Sequence, residues 1–142
     1  MPLRGLHLDG RGARLPADLM RRPTLIIVDT ALSTHDDTRR WSEWAVRQYG
    51  VAGRIFVRVI VLIDSPSALS TMFEGMIRAE TPSLLQPITM TIADTDHRLR
   101  KILASKQERS AAVFLLDRQY KVCWEFHQGF TDQNVLELQR RV

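Results

Sequence analysis

Two continuous runs of apolar, mostly β-branched residues restrict the folds open to this chain. Residues 24–29 and 55–63 are each the length of a strand, and apart from Arg58 neither alternates apolar with polar residues. Strands of this kind are covered on both faces, as in a parallel sheet flanked by helices. The segment between them, from about Asp36 to Tyr49, has apolar residues at helical spacing and ends at a glycine. The sequence therefore predicts a β-α-β unit.

The rest of the chain continues the alternation. Helices are predicted from Pro66 to before Pro82, from Asp94 or Asp96 onward, and from Thr131 to the last residues. Strands are predicted at 87–93, 111–116 and 121–127, and residues 1–22 are predicted to be an irregular lead-in with one short strand at 6–8. The order β-α-β-α-β-α-β-β-α predicts an α/β fold of thioredoxin-like plan over residues 23–142. It has a central mixed sheet flanked by helices and a closing ββα unit.

Redox proteins of this plan carry a reactive thiol in the turn after the first buried strand, where a helix N-terminus favours a thiolate. Here residues 30–37 contain no cysteine. Thioredoxin-type enzymes also hold a cis proline just before the closing hairpin, and that position reads Arg109-Ser110-Ala111. The two absences agree, and they predict a protein without thiol redox activity.

The turn nonetheless carries polar groups that are able to do chemistry. Ser33 or Thr34 is a candidate nucleophile with His35 as its base, and His35 with Asp36 and Asp37 is a candidate metal site of no standard spacing. The simpler interpretation is a helix cap, with the acids complementing the helix dipole. We expect the cap, no catalytic residue, and no bound metal.

Cys123 is the chain's single cysteine, so an internal disulfide is excluded. It falls in the predicted strand 121–127 beside Trp124. A redox role needs a thiolate of low pKa and, in most cases, a second thiol. We expect a small, inert, half-buried side chain.

Several segments together resemble a known family. They are Asp9-Gly10-Arg11, residues 15–19, residues 22–25, the block Phe73-Glu74-Gly75-Met76-Ile77-Arg78, residues 88–94, and residues 112–117 followed by Val122-Cys123-Trp124 and Gln128-Gly129-Phe130-Thr131. The opening is similar to that of peroxiredoxin-like proteins, and the later blocks are similar to the Atp10 family. That resemblance implies a cofactor-free thioredoxin-like protein. In mitochondria, members of that family chaperone a membrane subunit of the ATP synthase proton channel.

The resemblance also directs attention to one helix. Met72, Phe73, Gly75, Met76 and Arg78 are a candidate surface for a protein partner, because methionine and aromatic side chains make adaptable contacts. The alternative is that the apolar members form the inner face of an amphipathic helix.

Charge leaves several partners open. The net charge of +4 is compatible with binding to nucleic acid, to an acidic partner or to an anionic membrane. Acidic residues are interleaved with the arginines, however, and this pattern favours a solvated surface over a nucleic-acid site. The predicted edge strand 121–127 is able to pair with its copy in a homodimer.

The sequence has no apolar run long enough to span a bilayer, which predicts a soluble protein, with cytoplasmic and mitochondrial locations both open. The leading function is a non-catalytic binding or assembly module for a protein partner such as a membrane-complex subunit. The alternative is a peroxiredoxin-like thiol or peroxide oxidoreductase with a degenerate active site.

Overall fold

A computed structural model of the chain describes residues 3–8, 12–15, 19, 21–29, 35–50, 55–63, 77–79, 81–93, 111–126 and 129–141. Within these residues seven strands form one sheet. The strands are β1 (Leu3–His7), β2 (Gly12–Leu15), β3 (Thr24–Asp29), β4 (Phe56–Ile63), β5 (Thr89–Ala93), β6 (Ala112–Leu116) and β7 (Val122–Phe126). The two longer helices described are α1 (His35–Tyr49) and α2 (Asp132–Arg141), and a 3-10 helix spans Gln86–Ile88.

The strands are ordered β2-β1-β5-β4-β3-β6-β7 across the sheet. β3, β4 and β5 are parallel, whereas β6 and β7 run antiparallel on one side and β1 and β2 on the other. The predicted mixed sheet with a parallel core and a closing ββα unit is therefore confirmed.

β3 explains why an unbroken apolar run is required at the centre of the sheet. All six of its residues are buried. Leu25 and Ile27 pack into the cluster that contains Trp41 of α1, while Ile26 and Val28 pack into a second cluster on the opposite face. Because successive side chains of a strand point to opposite faces, a strand covered on both sides has no place for solvent-facing polar residues.

The N-terminal segment is more regular than predicted. β1 and β2 pair antiparallel, and β1 also pairs with β5 through Leu6 and His7, so Leu3–His7 and Gly12–Leu15 extend the sheet, where the sequence predicted an irregular lead-in. A Cβ added at Gly5 would collide with the carbonyl oxygen of Thr91 and lie 2.9 Å from Cγ1 of Ile92. Glycine lowers strand propensity in a sequence pattern, yet here its missing side chain allows the close approach of β1 to β5.

The two helices predicted in the middle of the chain fall largely outside the described residues, apart from a helical turn at 77–79. No helix in the described part of the chain is long and apolar enough to cross a membrane.

Candidate functional site

The N-terminus of α1 is the candidate site, because it follows the carboxyl end of β3 where the missing thiol was expected. The helix begins at His35, and two acids, Asp36 and Asp37, occupy its first turn. Carboxylates are favourable there because they face the positive end of the helix dipole and its unpaired N–H groups.

Asp37 ties three segments together with its carboxylate. Its Oδ2 accepts a hydrogen bond from the backbone N–H of Ala111 at 2.7 Å, and its Oδ1 accepts one from the N–H of Phe130, also at 2.7 Å. Ala111 directly precedes β6, and Phe130 lies two residues before α2. Both bonds are partly buried and carry a negative charge on the acceptor, which makes them stronger than neutral hydrogen bonds. We call this arrangement the Asp37 clamp.

The clamp depends on the absence of proline before the closing hairpin. Proline has no backbone N–H. The Oδ2 contact therefore requires a residue other than proline immediately before β6, and Ala111 fulfils that requirement. The turn that lacks the cysteine and the position that lacks the proline were noted separately in the sequence. One hydrogen bond, from the Ala111 N–H to Asp37, joins them in the structure.

An aromatic cluster lies beside the clamp. Trp41 is fully buried, one helical turn after Asp37, and its ring meets those of Trp44, Phe126 and Phe130 edge-on at centroid distances of 6.1, 6.0 and 5.1 Å. The indole Nε1 of Trp41 has no hydrogen-bond acceptor among the described residues. The burial of Trp41 and the packing of Trp44 against the same core cluster fix the rotation of α1 and so direct Asp37 inward.

The polar residues predicted in the turn are only partly described. Ser33 and Thr34 lie outside the described residues, as does the side chain of His35, so a nucleophile and base at this turn stay a prediction. Asp36 is exposed to solvent. Among the described residues no three His, Cys, Asp or Glu side chains gather closely enough to hold a metal ion.

The sequence predicts Asp37 as a first-turn acid or a candidate metal ligand, and does not predict its contacts with two distant backbone N–H groups. One signal distinguishes it from its neighbour, because residues four apart share a face of a helix and Asp37 is four residues before the buried Trp41. Asp36 does not share that face. The two backbone N–H partners, 74 and 93 residues away, have no local signal in the sequence.

The predicted partner surface is described at one residue only. Arg78 is exposed, and its carbonyl oxygen accepts a hydrogen bond from Nε2 of Gln86 at 3.2 Å. Met72, Phe73, Gly75 and Met76 lie outside the described residues. Their contact with a partner therefore stays a prediction, as does the alternative that the apolar members form the inner face of the helix.

Cys123 is exposed, not half-buried as expected. It lies at a register irregularity between β6 and β7, where Leu115 pairs with Trp124 and Leu116 with Val122, so it has no partner residue on β6. Its Sγ lies 3.7 Å from the carbonyl oxygen of Lys121. Phe126, beside the clamp, lies three positions further along β7, about 10 Å away along a strand. The thiol is therefore remote from the N-terminus of α1.

Comparisons with known proteins agree on the fold. Etrx1, the exposed lipoprotein thioredoxin of Streptococcus pneumoniae strain TIGR4, matches with a TM-score of 0.63 and 12% identity over 100% of both chains. BsSco, a member of the Sco family of cytochrome c oxidase assembly proteins, matches with a TM-score of 0.62 and 11% identity over 99% of this chain and 91% of that one. The mitochondrial 2-cys peroxiredoxin of Plasmodium falciparum matches with a TM-score of 0.58 and 11% identity over 97% of this chain and 86% of that one.

This chain has a thioredoxin-like fold. At these identities the likeness concerns the fold, since one fold of this kind carries many functions. No protein-family model matches the chain, and no curated protein matches it.

Proposed function

We propose that this thioredoxin-like protein is a non-catalytic binding module for a protein partner. In its most specific form, the proposal is an Atp10-like assembly chaperone for a membrane complex such as the ATP synthase proton channel. The specific form comes from the sequence resemblance.

The Asp37 clamp is the observation that carries the non-catalytic part of the proposal. A thiol enzyme of this fold needs a nucleophile at the N-terminus of α1 and a surface beside it for the substrate. Here both carboxylate oxygens of Asp37 already accept backbone N–H groups from the two neighbouring segments. The clamp uses the carboxylate of Asp37 to hold the closing ββα unit against α1, which is a structural role.

The assembly part rests on likeness of two kinds. The block from Phe73 to Arg78 resembles the Gly-Met-Arg motif of the Atp10 family. BsSco, a protein of the same fold, is a member of the Sco family of cytochrome c oxidase assembly proteins. A binding role also fits a chain whose one cysteine lies away from the usual reactive position.

A turnover assay separates the binding module from an enzyme. Wild-type protein and the variant Cys123→Ser are compared for reduction of insulin disulfides and for consumption of hydrogen peroxide with a thiol reductant. We expect no turnover above the uncatalysed rate from either. Turnover by the wild type that disappears in Cys123→Ser would overturn the proposal in favour of the peroxiredoxin-like oxidoreductase.

That alternative is supported by a specific observation. The Cys123 thiol is exposed, and a peroxiredoxin is among the structural neighbours. The enzyme would need a second thiol from another molecule, because the chain has one cysteine. The turnover assay therefore includes a dithiol and a glutathione system as separate reductants.

Affinity purification tests the partner. The tagged protein is recovered from a detergent extract of the native cell with nuclease present, and bound proteins are identified by mass spectrometry. We expect a membrane-complex subunit to be enriched with wild type and reduced with Arg78→Glu, which alters an exposed residue of the predicted surface. Arg40→Glu, an exposed residue of α1, is the matched control. Equal recovery with both variants would place the partner elsewhere, and absence of any membrane-complex subunit would remove the assembly role.

A further inference from the structure

The end of the sheet opposite the Asp37 clamp carries exposed cations from two distant segments. β3 begins at this end, where Thr24 pairs with Phe56 of β4 and with Leu116 of β6. The residues before β3 and the turn after β6 therefore lie side by side. Four exposed cations belong to them, and we call this group the basic end: Arg21, Arg22, Arg118 and Lys121.

One hydrogen bond fixes the two segments to each other. The backbone N–H of Arg21 donates to the hydroxyl oxygen of Tyr120 at 2.8 Å, across 99 residues of sequence. Arg21 and Tyr120 have positive φ values of 53° and 65°, and they are the non-glycine residues with positive φ in the described part of the chain. A left-handed conformation costs on the order of 1 kcal/mol for such residues. The surrounding structure therefore holds both residues in this conformation despite its free-energy cost.

Aromatic and turn contacts further orient the cations. The guanidinium carbon of Arg22 lies 4.7 Å from the ring centroid of Phe56, and that of Arg58 lies 4.6 Å from the same centroid. The two guanidinium groups thus share one ring, which holds Arg22 at the surface by a cation–π contact.

Negative charge at this end is engaged within the turn. Asp117 Oδ1 accepts the backbone N–H groups of Gln119 and Lys121, at 2.8 and 3.0 Å. This pattern is an Asx turn, in which the carboxylate stabilises the loop that presents Arg118 and Lys121. In the described part of this end, the four cations outnumber the one carboxylate.

An exposed apolar residue adjoins the cations. Val122 follows Lys121 and has 53% of its surface exposed. Basic residues beside an apolar side chain and a tyrosine are the combination that peripheral proteins present to a bilayer surface. Nucleic-acid sites for single strands use exposed aromatic rings as stacking platforms. At this end the Phe56 ring is buried under two guanidinium groups, and Tyr120 is only partly exposed.

We propose that the basic end binds the surface of an anionic phospholipid bilayer. The cations approach the negative headgroups, and Val122 enters the interface beside them. This inference does not depend on the proposed function, because a lipid surface is recognised without any protein partner.

Vesicle co-sedimentation tests the proposal with the full chain. Vesicles of phosphatidylcholine alone are compared with vesicles that contain about 30% of the anionic lipid phosphatidylglycerol. Both are measured at low and at physiological salt. We expect binding to the anionic vesicles only, weakening as salt rises. The double variant Arg118→Gln/Lys121→Gln should lower the partition coefficient about twenty-five-fold, from roughly fivefold for each charge near the surface.

Matched variants keep the test specific. Arg39→Gln/Arg40→Gln removes the same charge from the first half of α1 and should change binding by less than about twofold. Val122→Ser should weaken vesicle binding severalfold at unchanged charge. Circular dichroism confirms that each variant is folded, and Arg22→Gln provides a second test away from the turn.

Three outcomes would overturn the proposal. One is equal binding to neutral and anionic vesicles, and another is equal loss in the two double variants. The third is tighter binding to a 20-nucleotide DNA or RNA oligonucleotide than to anionic vesicles at the same salt (a length on the order of one or two single-strand binding sites), which would identify a nucleic-acid surface.

Discussion

The two ends of the sheet use charge in opposite ways. At the end where β3 finishes, Asp37 directs its carboxylate into the protein and accepts two backbone N–H groups. At the end where β3 begins, the two segments are joined by a backbone N–H and a tyrosine hydroxyl, and the charged groups of Arg21, Arg118 and Lys121 are exposed.

The difference separates charge that serves the fold from charge that is available to another molecule. A carboxylate that accepts two partly buried N–H groups stabilises the fold, because its loss leaves both donors without a partner. A cation at an exposed surface contributes little to stability, since water and salt screen it. Mutations at the two ends should therefore have effects of different size and on different properties.

The largest expected effect is at the clamp. Asp37→Ala should lower the free energy of unfolding by about 3 kcal/mol, because two charge-assisted hydrogen bonds are lost and two N–H groups are left unsatisfied. The measurement is urea denaturation followed by tryptophan fluorescence. Asp36→Ala, which removes the neighbouring first-turn acid, should cost about 0.5 kcal/mol through the helix dipole alone. Equal losses in the two variants would show that the clamp adds nothing beyond that dipole effect.

A substitution in β1 gives a free energy of unfolding with which the effects at the two ends are compared. Gly5→Ala should lower the free energy of unfolding by about 2 kcal/mol, because the added methyl group meets the Thr91 carbonyl. Gly12→Ala is the control, since an added Cβ there has no atom of the described residues within 4 Å. The measurement is again urea denaturation, and a loss in Gly12→Ala as large as that in Gly5→Ala would contradict the close approach of β1 to β5.

A smaller effect is expected at the basic end. Tyr120→Phe removes the acceptor of the Arg21 N–H and should cost about 0.5 kcal/mol, because the bond is exposed and water replaces the hydroxyl. Thermal and urea denaturation measure it. A loss comparable to that of Asp37→Ala would abolish the contrast between the two ends.

The smallest effect concerns the last turn of α1, at the far end of that helix from Asp37. Burial raises the pKa of the Tyr49 hydroxyl above its ordinary value of 10.0, and its ring meets Trp44 edge-on at 5.7 Å. The unfolded chain therefore releases this proton at lower pH than the folded protein. Its contribution to stability is complete below pH 10 and declines as the pH rises through the folded pKa.

Unfolding free energies of the wild type and Tyr49→Phe, measured by urea denaturation between pH 8 and 11 (a window that brackets the usual tyrosine pKa of about 10), check this prediction. We expect the difference between the two proteins to change above pH 10, with the wild type losing stability faster. Parallel curves over the whole range would mean that Tyr49 does not contribute.

Features that depend on residues close in the sequence were predicted, whereas contacts between residues far apart in the sequence were not. The buried strands were predicted because a continuous apolar run of strand length, such as residues 24–29, is typical of a strand covered on both faces. The lead-in was predicted less well, since a glycine inside a strand weakens the pattern that identifies it. Asp37 was placed in the first turn of the helix, but its two partners depend on where the chain returns after more than 70 residues. The joining of Arg21 to Tyr120 has the same cause, because no local pattern relates two loops 99 residues apart.

The position of Cys123 has a practical consequence for measurement. The chain has one thiol, which is exposed. It belongs to Cys123 on β7, two residues after Lys121. A maleimide fluorophore or nitroxide label therefore attaches to a single known position without prior mutagenesis. The label is close enough to the start of β7 to report a change in local polarity or mobility there, and it is remote from the contacts of Asp37.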